Sequence, residues 1–242
     1  LRFQINKLIE SNSLESSEQF CNELNEWLTE KGYTTLQHQL IELPNGVSSP
    51  IKIGGSTAVF HSNYNAGVTS LTTYRRYFLS RTWNSSLPVM TLFGMNPSNA
   101  SINSNDPTVE FMLKVAEFND CGSLYVVNTS PYIKSSQTRR ADFVIDDEAW
   151  EYIKYAVNHS DIVVLAWGEN GQKYGIPTII NNYPLRGLLA RNSQKLRVFE
   201  FGGINSTRKF PKHPLQIPPN DFQVNHRLLT PSITEFNDLF PY

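Results

Sequence analysis

The residues best suited to chemistry stand where apolar runs end in polar turns. Val89, Met90, Thr91, Leu92 and Phe93 form one such run, which stops at Gly94-Met95-Asn96-Pro97-Ser98-Asn99. Glycine lets backbone approach closely and proline fixes a φ angle, so this turn can hold a water or a substrate oxygen against backbone donors. The Asn96 amide oxygen can accept a hydrogen bond from such a water, yet a carboxamide carries no charge at neutral pH and cannot act as a true base. An ordinary strand-to-helix turn would use the same residues, with asparagine where turns favour it. A second run ends in Val126-Val127-Asn128, and a late loop carries Arg208, Lys209, Lys212 and His213. Asn128 reads either as a strand-end turn residue or as a group that hydrogen-bonds a ligand. His213 reads either as an exposed loop residue or as a donor.

Strands must position these groups, and the pattern supplies them over residues 89–94, 123–129, 161–166 and 196–201. Helices are predicted between them. Asp106-Pro107-Thr108 is a strong helix start, with aspartate as N-cap, proline at the first helical position and Val109, Met112, Leu113 and Ala116 along one face. The dipole of that helix could help hold an anion near the Asn96 turn. Residues 146–158 and 176–189 read as further helices, the latter interrupted near Pro184. Strands alternating with helices predict an α/β fold, a three-layer sandwich around a central, mostly parallel sheet. The polar strand ends Asn96, Asn128 and Trp167-Gly168 would then crowd one crevice.

Residues 1–55 read as an N-terminal appendage and 56–242 as the α/β domain. In the appendage, Ser16 and Gln19 form a capping box, Phe20, Leu24, Trp27 and Leu28 repeat at helical spacing, and Gly32 stands at a C-cap. Trp27 fits a docking residue on that face. Residues 34–43 alternate as a strand would, and 57–61 read as another short strand. From Tyr74 to Trp83 cations interleave with aromatics. Such a stretch can stack on bases and pair with phosphates, or it can be an edge strand whose arginines snorkel over a core.

With 21 basic and 22 acidic residues among 242 and a net charge of −1, no global field draws this chain to nucleic acid, so such a partner would need a local patch. Lys134, Arg139 and Arg140 after the Asn128 strand, and Arg208, Lys209 and Lys212 before His213, are the clusters that could neutralise phosphates beside the crevice. Cys21 and Cys121 have no metal-ligand spacing and fit a reducing compartment. No apolar run approaches the roughly 18 residues of a membrane span, and no leader pattern opens the chain. A cytoplasmic protein with no membrane association, no metal, no cofactor and no evident obligatory protein partner is expected. Phosphate-cradling glycine loops, the dinucleotide fingerprint and the Gly-x-Ser-x-Gly elbow do not occur.

Four stretches, in order, resemble the uracil-DNA glycosylase superfamily. Gly94-Met95-Asn96-Pro97-Ser98 stands where that superfamily has its water-activating motif, and Leu124-Tyr125-Val126-Val127-Asn128-Thr129 is similar to the strand ending in its base-reading asparagine. Val163-Val164-Leu165-Ala166-Trp167-Gly168 with Gln172-Lys173 is similar to the penultimate core strand and its loop. His213-Pro214-Leu215 resembles the last motif, whose histidine contacts the base and whose loop wedges into the stack. The same segments, with Asp106-Pro107-Thr108 and residues 77–83, look closer still to a bacterial and phage family of uncharacterised domains, DUF1643, over roughly residues 74–220.

The resemblance implies catalytic roles for Asn96 and His213, and a base pocket formed by Gly94, Met95, Ser98, Asn128 and Trp167. Two departures carry meaning. Asn96 and Ser98 replace the aspartate and tyrosine of the best-known branch, as in the branch acting on mismatched thymine or uracil, so slower chemistry is expected. Because that tyrosine crowds the pyrimidine C5 position, a serine implies room for a bulky substituent. Leu215 replaces the usual serine after Pro214. Cleavage of an N-glycosidic bond builds positive charge on the sugar and negative charge on the departing base, so the site must support both. The function that the resemblance implies is therefore a monofunctional DNA glycosylase acting on an altered pyrimidine, with restriction of phage carrying modified DNA as its expected role. Its rivals are an inactive nucleic-acid-binding module and a hydrolase of free nucleosides or nucleotides.

Overall fold

The computed structural model describes residues 51–53, 55–61, 74–134, 138–204, 208–217 and 227–240. Its main sheet comprises β1 (Ile51–Ile53), β2 (Ser56–Phe60), β3 (Arg76–Thr82), β4 (Val89–Gly94), β5 (Ser123–Asn128), β6 (Ile162–Leu165) and β7 (Leu196–Arg197). The seven strands lie in the order β1-β2-β3-β5-β4-β6-β7. Neighbours among β5, β4, β6 and β7 are parallel, whereas β1, β2, β3 and β5 pair antiparallel. The sheet is thus mixed where the sequence predicted a mostly parallel one. The two residues between β1 and β2 can only return the chain antiparallel, since a parallel connection needs a crossover of a dozen or more. β1 draws residues 51–53, on the appendage side of the expected boundary, into the sheet. The helix expected over 16–32 with Trp27, and the strand over 34–43, lie outside the described residues.

Helix α1 (Pro107–Phe118) joins β4 to β5, and α2 (Asp147–Asn158) joins β5 to β6. β5 and β6 flank β4 on opposite sides, so the connections diverge at β4 and leave a crevice at the carboxyl ends of these strands. Side-chain alternation along the strands builds the three layers. Met90, Leu92, Leu124, Val126 and Val164 pack with Val109, Met112, Val115 and Ala116 of α1. Phe93, Tyr125, Val127, Val163 and Leu165 pack with Trp150, Tyr152, Ile153, Ala156 and Val157 of α2. Burying each such large side chain contributes about 1.5–3 kcal/mol. Leu113, expected on the buried face of α1, is only partly covered.

Both helices begin as the sequence predicts. Asp106 accepts from the Val109 backbone N–H at 2.9 Å, and Asp146 accepts from that of Ala149 at 2.9 Å. Beyond β6 the chain is helical where a loop was expected. It passes through α3 (Gly168–Asn170), a π turn (Gly171–Gly175), α4 (Ile176–Asn182) and, after the predicted break at Pro184, α5 (Leu185–Arg191). The single strand expected over 196–201 is split. β7 ends at Arg197, and β8 (Phe201–Ile204) pairs instead with β9 (Arg208–Pro211) in a separate antiparallel hairpin that delivers His213. Helix α6 (Ile233–Leu239) follows a Ser232/Glu235 capping box. No described helix is long and apolar enough to cross a membrane.

The stretch from Tyr74 to Trp83 is neither an edge strand nor an aromatic platform. β3 lies between β2 and β5, its Tyr77, Phe78 and Leu79 are core residues, and its arginines are committed internally. Arg75 bonds Asp146, Arg81 bonds the Ser101 carbonyl and Asn105, and Arg76 is buried.

Candidate active site

The carboxyl ends of β4 and β5 open into a cavity of about 340 Å³, within the range of small-molecule sites. Leu92 and Gly94 of β4, and Val126 and Asn128 of β5, present the same sheet face to it, the face that α1 covers. Met95, Asn96 and Ser98 contribute from the following turn, and Asp106, Thr108 and Val109 from the start of α1. Arg76, Lys134, Thr138, Asn170, His213 and Leu215 complete the lining. Gly94, Met95, Asn96, Ser98, Asn128 and His213, all predicted from sequence, therefore meet in one place.

Backbone pairing continues past the strands and fixes the turn. The N–H groups of Thr129, Ser130 and Lys134 donate to the carbonyls of Gly94 (3.0 Å), Met95 (2.9 Å) and Pro97 (2.8 Å). The Thr129 hydroxyl donates to Met95 O at 2.9 Å. Gly94 must lack a side chain here, because a Cβ would stand 2.9 Å from Asn128 Oδ1. Asn128 is 8% exposed, and no hydrogen bond joins its carboxamide to another described residue. A buried amide without a protein partner is costly, so its donor and acceptor are available to a ligand edge.

Asn96 is held in place by its neighbours. Its Nδ2 donates to the carbonyls of Pro97 and Lys134, both at 2.8 Å, and its Oδ1 accepts from Thr138 Oγ1 at 3.0 Å. Two carbonyl acceptors can be served only by the NH₂ end, so the amide orientation is fixed. This side chain ties its own turn to the connection that follows β5 and has one oxygen lone pair left for a water.

His213 sits at the end of the β8–β9 hairpin. Its Nδ1 accepts from the Leu215 N–H at 3.3 Å and its own N–H donates to Gln216 Oε1 at 2.9 Å. With Nδ1 an acceptor, Nε2 carries the proton and is the ring's donor. Burial pushes the imidazole down to about 4, against the opposing charge of Asp106, so the ring is neutral at pH 7. Gly168, at φ +67°, lets the chain turn under this residue, its would-be Cβ lying 3.4 Å from His213 Cβ. Leu215, at the rim, is 60% exposed.

The lining residues that sequence reasoning did not assign to the site are chiefly Arg76 and Asp106. Arg76 is 2% exposed, donates from Nη1 to the Ala100 carbonyl, and has no partner for Nε among the described residues. Burial lowers its pKa to about 10 while the Asp106 charge opposes that shift. The guanidinium remains charged. Asp106 was legible as a cap, but its burial against a cavity depends on contacts that a local pattern does not carry.

Of the other expected site residues, only Lys134 among those described lines the cavity. Trp167 is fully buried on the α2 side, edge-to-face on Phe93 at 5.2 Å, with Nε1 donating to Gln172 Oε1 at 2.9 Å. It is a core residue and no part of the base pocket, because Gln172 gives its indole N–H an internal partner. Of the six expected phosphate contacts, Lys134 pairs with Asp142 at 2.6 Å, Lys209 with Glu235 at 3.6 Å, and Lys212 with Glu200. Arg139 and Arg140 are exposed around a 3-10 turn, Arg140 lining a second, shallow cavity with Lys173 and Tyr174. The Arg208 side chain lies outside the described set. Among the described residues no group of three His, Cys, Asp or Glu could hold a metal ion.

A family model described as a protein of unknown function, DUF1643, matches residues 76–215, from Arg76 on the cavity wall to Leu215 at its rim. No curated protein and no solved structure matches the chain. The match spans more than half of the 242 residues and takes in every residue that lines the cavity, so the chain belongs to the DUF1643 family.

Proposed function

We propose that this protein is a DNA glycosylase of uracil-DNA glycosylase type, hydrolysing the N-glycosidic bond of an altered pyrimidine to leave an abasic site. The observation that carries the reading is convergence: Asn128, His213 and the 94–98 turn, which are remote in sequence, line one cavity of about 340 Å³ with an apolar base of Leu92 and Val126. A flipped base needs an amide for its polar edge, apolar surface for its faces and a donor for the charge that develops on it. Asn128 has a free carboxamide, and His213 offers a neutral Nε2–H, which can stabilise a departing base anion without surrendering its proton. Ser98 and Gly94 leave space beside the base for a C5 substituent. Leu215, apolar and exposed at the rim, can fill the gap that an extruded base leaves in the stack.

The test is incubation with single-stranded and duplex oligonucleotides carrying uracil, mismatched thymine or C5-substituted cytosines, followed by alkaline cleavage at abasic sites. Strand scission from at least one substrate, lost in Asn128→Ala and His213→Ala, is expected. No scission with any of them refutes the enzyme. A second reading, binding without hydrolysis, draws on the Asn96 amide being occupied by three hydrogen bonds. Retarded migration of the same oligonucleotides without base release would favour it.

A further inference from the structure

Hydrolysis at an anomeric carbon asks for an acceptor of the water proton and for negative charge beside the developing oxocarbenium ion. Neither group assigned from the motifs supplies both. Asn96, held by Pro97, Lys134 and Thr138, can orient a water through its remaining lone pair but is neutral and cannot take the proton. His213 is a neutral ring whose Nδ1 is already an acceptor for Leu215. Asp106 is the one carboxylate among the residues that line the cavity.

Resting on the glycosylase reading, we propose that Asp106 is the catalytic carboxylate of this site, orienting the attacking water and receiving its proton. In the step, the water oxygen bonds to C1′ of the sugar as the bond from C1′ to the base nitrogen breaks. The bonding pair leaves with the base, whose charge His213 Nε2–H and Asn128 stabilise. The water proton passes to an Asp106 oxygen and from there to solvent, while the base anion takes a proton from solvent, so one water is consumed.

The surroundings fit a working carboxylate better than a mere cap. Capping engages Oδ1, which accepts from Val109 N–H at 2.9 Å; Oδ2 has only the long 3.4 Å contact from Ala100 N–H and keeps acceptor capacity. An N-cap needs no charge, since asparagine and serine serve as well. Here, however, the side chain is 7% exposed and lines the cavity at the start of a 12-residue helix. The buried Arg76, whose Nε has no partner among the described residues, adds a positive charge to the lining of the same cavity, and both it and Asp106 hydrogen-bond the Ala100 backbone. Charge interactions count for more in such a water-poor setting.

The decisive variant is Asp106→Asn, which keeps the cap and deletes the charge and the proton acceptor. On the oligonucleotide that the wild type cleaves fastest, single-turnover base release is expected to fall at least about 100-fold, in line with loss of a general base. Affinity for the uncleaved strand should stay the same or rise, and the thermal midpoint should match that of the wild type. Asp106→Ser, also a good cap, serves as the control if the asparagine variant does not fold. Wild-type rates in either folded variant overturn the assignment while the glycosylase reading stands. A wild-type protein that releases no base from any substrate overturns both.

Discussion

At the scale of single residues, the site is defined by which polar atoms are already satisfied. Asn96 and Asn128 are the same residue type at equivalent strand ends, yet one is consumed by three hydrogen bonds and the other is unengaged, so they carry different duties. Gly94→Ala tests the second. A Cβ 2.9 Å from Asn128 Oδ1 must push the carboxamide aside, so base release should fall sharply while urea denaturation shows a loss of about 1–3 kcal/mol. Trp167→Phe tests the reassignment of that indole to the core. It strands the buried Gln172 oxygen, costing about 1–3 kcal/mol, and should leave the rate per folded molecule unchanged. His213 makes a prediction about acid. The folded chain keeps it neutral down to about 4, whereas the unfolded chain takes up the proton near the ordinary value of 6.5. The unfolded state binds more protons between those values, so this residue's share of stability is constant above 6.5 and is lost as pH falls towards 4. Thermal midpoints of His213→Gln should decline less than those of the wild type over that window.

At the scale of elements, the helical run that begins at Gly168 decides where His213 can sit. Its first residue takes φ +67°, open to glycine and strained for any residue with a Cβ, and it passes directly under the histidine. Gly168→Ala should therefore cost about 1–2 kcal/mol by chemical denaturation, with Gly168→Asn milder because asparagine tolerates this backbone region. Helix α1 does double duty in the same way, since its capping residue is also part of the cavity wall. Replacing Asp106 by alanine should cost about 1 kcal/mol through the cap alone, which asparagine retains. That difference separates the structural and chemical roles of one side chain. The hairpin β8–β9 was not expected. Its strands pair through Gly202, where a Cβ would come within 2.3 Å of the Phe210 ring, and an apolar run interrupted by glycines reads locally as the end of one strand rather than the start of another.

At the scale of the whole molecule, charge is balanced globally, and some of the cations near the cavity are paired with carboxylates. Lys134, Lys209 and Lys212 each meet a carboxylate in a partly buried pair, so each can reach a phosphate only by giving up that partner. Under the proposed function, Arg139, Arg140 and Lys173, which are exposed around the two cavities' shared 138–142 and 168–175 segments, make the readiest phosphate contacts. Neutralising Arg140 or Lys173 to glutamine should weaken oligonucleotide binding uniformly across sequences and reduce the salt slope by about one each, measured by titration at several salt concentrations. Sequence alone determined the α/β alternation, the cap of α1, the span of α2 and the turn after β4, because these rest on hydrophobic period and on hydrogen bonds reaching only a few residues. It also brought Asn96 and Asn128 to one crevice, through the rule that ligands gather at the carboxyl ends of parallel strands, while His213 was assigned to it through the resemblance. Tertiary structure alone decided that β3 runs antiparallel inside the sheet, that Trp167 faces the core, that Arg76 and Asp106 line the cavity, and that Asn96 is spent on its neighbours. Each of those outcomes depends on a partner far away in the chain, and burial or hydrogen-bond satisfaction by a distant group leaves no mark on local spacing.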